Sequence, residues 1–166
     1  MIQEPRYVVV CGAYKGLGLP ILRELVAKAR RLGILVYLVA ELYPVSDKSP
    51  DAILAASHKA LSDPRIVGII CIIFSHKTLK VSPDTDLTGG IGVERGIALA
   101  QGKKVGFLFD DWRDLESDRI SSLLKPGTRE LVFWAETPGD LEDLFVKFVN
   151  LALLLLEEEE EKEEKA

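Results

Sequence analysis

The stretch TGGIGVERGIALAQGKKVGFLFDD, residues 88 to 111, sets a hydroxyl and several glycine amides just before a helical pattern that carries a carboxylate, Glu94, near its start. Thr88, Gly89, Gly90 and Gly92 would offer an anion unpaired N–H groups at the positive end of that helix. A carboxylate beside a held anion is placed for nucleophilic work. Glu94 also has a purely structural reading, because glutamate in a helix's first turn compensates the macrodipole. Spacing alone leaves both open. A second glycine string, CGAYKGLG at residues 11 to 18, follows one apolar run and opens another helical pattern. Gly12, Gly16 and Gly18 suit a turn whose backbone N–H groups face an anion, with Lys15 adding a point charge.

These strings need elements to hold them. Short apolar runs (YVVVCGA, GILVYLVAE, IVGIICIIF, KKVGFLFD and ELVFWAE) alternate with longer patterns in which apolar residues recur every three or four positions. That alternation predicts parallel strands covered by helices on both faces. Five β/α units result, so the expected fold is α/β: a flavodoxin-like, Rossmann-type three-layer sandwich with a five-stranded parallel sheet in the order 2-1-3-4-5. Ligands of such sheets bind at the carboxyl ends of the strands where the order reverses, which is where both glycine strings fall. The last helix begins within ETPGDLEDLF, with Thr137 as N-cap and Pro138 at its first position. Leu141, Leu144, Phe145, Phe148 and Val149 would form its packing face. With 166 residues, 48% of them hydrophobic, one core is expected over residues 1–156. Residues 157–166, within the run EEEEEKEEKA, read as a solvated acidic helix extension or tail.

Composition narrows the function classes. A formal net charge of −5 lacks the basic footprint of a nucleic-acid surface, so small molecules are the expected partners. Cys11 and Cys71 each lie in an apolar run, and no CxxC or Cys/His ligand spacing is present, so reduced core thiols and no metal are expected. No stretch approaches the ~20 apolar residues of a membrane span, and MIQEPRYVVVCGAY does not read as a signal segment. A cytoplasmic protein with no membrane partner is expected. Asn occurs once and Gln twice against abundant Glu, Lys, Ile, Leu and Val, a balance associated with heat-adapted proteins.

Two resemblances follow from the motifs. CGAYKGLG fits the glycine pattern of short-chain dehydrogenases, with Glu41 where a ribose-binding acid would stand. The chain lacks their Tyr-x-x-x-Lys and is short for that family. By contrast, GIGVERGIALAQGKKVGFLF is similar to the Gly-x-Gly-x-Glu-x-Gly-x-Ala segment of the nucleoside 2-deoxyribosyltransferase superfamily, most closely its 2'-deoxynucleoside 5'-phosphate N-hydrolase branch. VCGAYKG resembles that branch's Cys-Gly-Ser-Ile-Arg-Gly opening, and RELVAKARRLGILV the helix and strand that follow. ISSLLKPG resembles its Leu-Ser-Ala-Met-Ile-Arg-Gly helix, and VFWAETPGDLEDLFVKF its Val-Trp-Asp-Tyr and acidic terminal helix.

The resemblance implies an enzyme without a cofactor that cleaves or transfers the base–sugar bond of a nucleoside 5'-monophosphate. Glu94 would be the nucleophile. Gly12, Gly16, Thr88 and Gly90 match its phosphate-loop positions, and Ser121 matches a serine reaching the neighbouring subunit's phosphate, which implies a homodimer or higher homo-oligomer. Ala13 stands where the family has a serine, and Lys15 where it has an arginine. Residues 75 to 87, SHKTLKVSPDTDL, form a longer loop than the family's, and its Asp84 and Asp86 read equally as solvated acids. The family's acidic helper matches His58, Lys59 or Ala60, of which His58 would serve as acid or base. The lysine-decarboxylase-like phosphoribohydrolases are a looser likeness, since their Gly-Gly-x-Gly-Thr-x-x-Glu motif needs glutamate where this chain has Gly96. A non-catalytic nucleotide-binding module using the same loops is the alternative of a different class.

Overall fold

The computed structural model describes residues 6–38, 41, 49–87, 89–110, 131–134, 143 and 145–147. Strands β1 (Tyr7–Cys11), β2 (Val36–Leu38), β3 (Ile66–Ile73) and β4 (Lys104–Phe109) pair in parallel in the order β2-β1-β3-β4. The segment β5 (Leu131–Trp134) pairs parallel with β4 at the edge. The α/β class and the 2-1-3-4 order expected from the sequence are those observed. Four helices are bounded among the described residues: α1 (Gly18–Arg31), α2 (Pro50–Leu61), α3 (His76–Leu79) and α4 (Gly89–Ala100). None of the described helices is long and apolar enough to cross a membrane.

The central strands carry no charge between their ends because both faces are covered. Successive strand side chains point to opposite faces, so the sequence sorts itself by parity. Val8, Val10, Ile70, Ile72 and Leu108 pack with Leu22, Leu25, Val26 and Ala29 of α1 and with Phe145. Val9, Cys11, Ile69, Cys71, Ile73, Phe107 and Phe109 pack with Ala60 and Leu61 of α2 and with Ile91, Ile97 and Ala98 of α4. Each large aliphatic side chain taken fully from water contributes about 1.5–3 kcal/mol, so both layers are held mainly by this burial. Of the residues named for the terminal helix, Phe145 is helical and fully buried; Thr137, Pro138, Leu141, Leu144, Phe148 and Val149 lie outside the described residues, as does the acidic tail.

Helix ends follow local chemistry. The hydroxyl of Ser49 accepts from the Ala52 N–H at 3.3 Å, with Pro50 as the first residue of α2. Basic residues Lys28, Arg30 and Arg31 fill the last turn of α1, where the macrodipole favours cations. The stretch read as an extended loop, residues 75 to 87, contains the single-turn helix α3. Ser75 caps it by accepting from the Thr78 N–H at 3.2 Å, and Lys80 ends it in the left-handed region at φ 56°.

Candidate functional site

Two hydrogen bonds join the loop after β1 to the segment after β3. Lys15 Nζ donates to the Asp86 carbonyl at 2.9 Å, and the Leu17 N–H donates to the Leu79 carbonyl at 3.0 Å. The first glycine string is thereby tied to the segment that leads into the second, at the carboxyl end of the sheet where the strand order reverses. Gly90 lies in the first turn of α4. Thr88 and Ser121 lie outside the described residues.

The glycines of the first string answer to packing before any ligand. Gly16 sits at φ 55°, and a Cβ there would stand 2.2 Å from the Leu79 carbonyl oxygen. At Gly18 a Cβ would stand 1.9 Å from the Ala13 carbonyl oxygen, and at Gly12 it would press on the Leu22 and Phe74 side chains at 3.1 and 3.3 Å. The close turn brings Lys15 to the crevice mouth, where one of its three donors is used on Asp86 and the ammonium stays exposed.

Glu94 is the sixth residue of α4, because the helix starts at Gly89, and its first turn carries no acid. This corrects the expectation that Glu94 stands near the helix start, and macrodipole compensation no longer explains it. Ile91, Ile97 and Ala98, three or four residues either side, are buried against the sheet, so Glu94 shares the inward face. It is half-buried there beside Cys11, the last residue of β1. Cys71 is the register partner of Cys11 on β3, and both thiols are free and buried. Cys71 and the Glu94 carboxyl are the groups that act on the Cys11 thiol.

The electrostatics follow from this confinement. Burial pushes the Glu94 carboxyl above its ordinary range, and the Cys11 thiol pulls it back. Cys11 is held well above the usual thiol value, first by Cys71, then by burial and by the charge of Glu94. The Tyr14 hydroxyl is pushed up to about 12, by burial first and then by Glu94, Cys11 and Glu41, with Arg23 opposing. Tyr14 nonetheless keeps 43% of its surface exposed, so it edges the crevice as a protonated phenol over the physiological range. It can donate a proton there but is no base.

The sequence analysis assigned Tyr14 no role and read the two cysteines as reduced core thiols. The available signal was only that Cys11 and Cys71 each lie within an apolar run. Their register is a long-range fact that no local pattern carries.

His58 is exposed, whereas its neighbours Ser57, Ala60 and Leu61 are buried. Positions 57, 60 and 61 share the inward face of α2, which turns 58 to solvent. A role for His58 as acid or base remains an expectation from the sequence resemblance. Glu41 is engaged: it pairs with the Arg30 guanidinium and accepts from the Leu38 N–H. Asp110, fully buried after β4, accepts from the Ser75 N–H at 2.9 and 3.0 Å, and His76 Nε2 lies 2.7 Å from the Thr85 carbonyl oxygen. These contacts fix the ends of the α3 segment to β4 and to the residues that follow it. No group of three or more His, Cys, Asp or Glu side chains suited to a metal ion occurs among the described residues.

No protein-family model matches the chain, and no curated protein matches it. Among solved structures it is similar to the solution NMR structure of a de novo designed Rossmann 2x3 fold protein, at 17% identity, with a TM-score of 0.50 over 89% of this chain and 90% of that one. A likeness at that identity is one of fold.

Proposed function

We propose that this chain is a flavodoxin-like nucleoside 5'-monophosphate N-glycosidase, cleaving or transferring the base–sugar bond with Glu94 as nucleophile. The observation that carries the reading is the Glu94 carboxyl, turned inward over β1 and β3 beside Tyr14 and Cys11. In the proposed reaction one Glu94 oxygen attacks the anomeric carbon, the bond from that carbon to the base nitrogen breaks, and the base leaves with the bonding pair. Tyr14, kept protonated, is the proton donor at hand. Water then attacks the same carbon, one of its protons returning to the Tyr14 phenolate, which frees the Glu94 carboxylate and the sugar phosphate. Lys15 and the N–H groups near Gly12, Gly16, Thr88 and Gly90 would hold the 5'-phosphate, fixing the reacting carbon. Ser121 would complete that phosphate site from a second copy in a homodimer, in a cytoplasmic protein of a heat-adapted source.

Incubation with a panel of nucleoside 5'-monophosphates, with free base read by chromatography, tests the reading. Base release is expected from at least one of them, with unphosphorylated nucleosides poorer, and the rate should rise with pH as Glu94 ionises. Glu94→Gln should lower release by several orders of magnitude while calorimetry still shows nucleotide binding. A second reading, a non-catalytic nucleotide-binding module, draws on the same burial, which favours the neutral carboxyl, a hydrogen-bond donor and a poor nucleophile. It predicts binding that weakens as pH rises and no base from any substrate.

A further inference from the structure

The parallel ladder between β3 and β4 ends on a substitution. Ile73 pairs with Phe109, and the Asp110 N–H donates to the Ile73 carbonyl at 3.2 Å. One more regular bond would run from the Ser75 N–H to the main-chain carbonyl of Asp110. The Asp110 carboxylate receives that N–H instead, at 2.9 and 3.0 Å, and it is fully buried. The chain leaves the sheet at this point and enters α3. Each following link is again a hydrogen bond. Ser75 Oγ accepts from the Thr78 N–H at 3.2 Å, and the Ser75 carbonyl accepts from the Leu79 N–H at 3.2 Å. The Leu79 carbonyl then accepts from the Leu17 N–H at 3.0 Å. The glycine loop after β1 closes on that carbonyl so tightly that a Cβ at Gly16 would stand 2.2 Å from it.

We propose that Asp110 is a positioning residue: by holding Ser75 at the end of β3 it sets α3, and through the Leu79 carbonyl it sets the loop in which Lys15 and the N–H groups near Gly12 and Gly16 would hold a 5'-phosphate. The inference rests on that loop being the phosphate site of the reaction proposed above. Its reach is a matter of stiffness. The helix α3 is a single turn closed at both ends, by the Ser75 cap and by Lys80 at φ 56°. The contact of His76 Nε2 with the Thr85 carbonyl at 2.7 Å and the bond from Lys15 Nζ to the Asp86 carbonyl at 2.9 Å tie down the residues that follow. A shift at Ser75 therefore crosses few bonds before it reaches Leu17. Phosphate held by backbone N–H groups depends on where those groups point.

The test uses the full chain with Asp110→Ala and Asp110→Asn, reading exchange of the Leu17 amide proton by NMR and the affinity for inorganic phosphate and for a nucleoside 5'-monophosphate by calorimetry. The alanine variant should lose protection at Leu17. It should also bind phosphate and nucleotide roughly three- to tenfold more weakly, the size of one modest hydrogen bond. Asparagine, which keeps an oxygen to accept from the Ser75 N–H, should restore most of both. A merely structural role lowers stability and leaves the phosphate affinity of the folded protein unchanged; that result, or a Leu17 amide as protected as in wild type, would overturn the proposal. Should the alanine variant fail to fold, Ser75→Ala decides. It keeps the N–H on Asp110 and removes the oxygen that caps α3, so Leu17 protection and phosphate affinity should fall together, and unchanged values overturn the chain of contacts. Asp110-dependent phosphate binding in a protein that releases no base upholds the positioning role and overturns the glycosidase reading. Base release with phosphate affinity indifferent to Asp110 does the reverse, and a wild type that binds neither phosphate nor nucleotide overturns both.

Discussion

The two faces of the sheet are built from the same strands and differ by one residue of register. On the α1 face, Val8, Val10, Ile70 and Ile72 meet Leu22, Leu25, Val26 and Ala29, an aliphatic layer closed by Phe145. On the α4 face the same strands offer Val9, Cys11, Ile69 and Cys71, and the helix above carries a carboxyl among its buried residues. The first face gains stability from everything it buries. The second includes a group that burial disfavours in its charged form, the arrangement expected where a fold gives up stability to hold a reactive group.

Glu94→Gln sharpens this contrast most. Beyond the loss of base release, its effect on stability should have the opposite sign to an ordinary active-core mutation. The folded-state carboxyl titrates above its unfolded value, so between those two values the unfolded chain has already released a proton that the folded chain still holds. Stability therefore falls as pH rises through that window, and the loss persists at neutral pH. The glutamine variant should melt higher than wild type at neutral pH, by about 2–4 °C for each kcal/mol recovered, and the gain should vanish at a pH below the unfolded carboxyl value. Equal melting at all pH values would show that Glu94 is not strained by its burial.

Leu22→Ala probes the other face. Leu22 is fully buried and lies under Gly12, so truncation should cost about 2–5 kcal/mol in denaturant unfolding. The remaining folded protein should keep the pH profile of base release, because no reacting group sits on that face. A changed profile would mean that the two layers are coupled through the sheet.

Gly16→Ala separates the glycine loop's structural demand from its proposed ligand. The residue is held at φ 55°, with the Leu79 carbonyl 2.2 Å from where a Cβ would be. A loss of about 1–3 kcal/mol is expected, and it should appear in the absence of any nucleotide or phosphate. A variant as stable as wild type but deficient in binding would return this glycine to the anion.

How much of this was legible follows from the range of each signal. The strands and their order came from local facts, since uncharged runs such as IVGIICII can only be central, and alternating β and α units thread in few ways. The start of α4 was misplaced because Gly89, Gly90 and Gly92 read as a loop by propensity, whereas the structure continues the helix through them, a tertiary override of weak local preferences. That His58 is exposed was not legible, because its orientation depends on which face of α2 meets the sheet. Cys11, Cys71 and Tyr14 were missed as a group because strand register and loop closure bring them together. The Lys15–Asp86 contact joins residues 71 positions apart, and no window along the chain contains it.

Gly96→Ala carries the smallest effect and tests the outer side of the same helix. Gly96 is exposed in the middle of α4, and a Cβ there would meet nothing within 4 Å. A helical glycine with open space around it costs about 0.5–1 kcal/mol relative to alanine. The isolated fold thus gives no steric reason for it, whereas Gly16 and Gly18 each have one. Alanine should therefore stabilise the chain by that amount in denaturant unfolding, with no change in the Glu94 titration, since positions 94 and 96 point some 200° apart around the helix. If alanine instead destabilises the protein, and does so only at concentrations where scattering shows more than one copy, then another chain must approach α4 closely at this point. The homodimer proposed from Ser121 would then extend to the helix that carries the nucleophile.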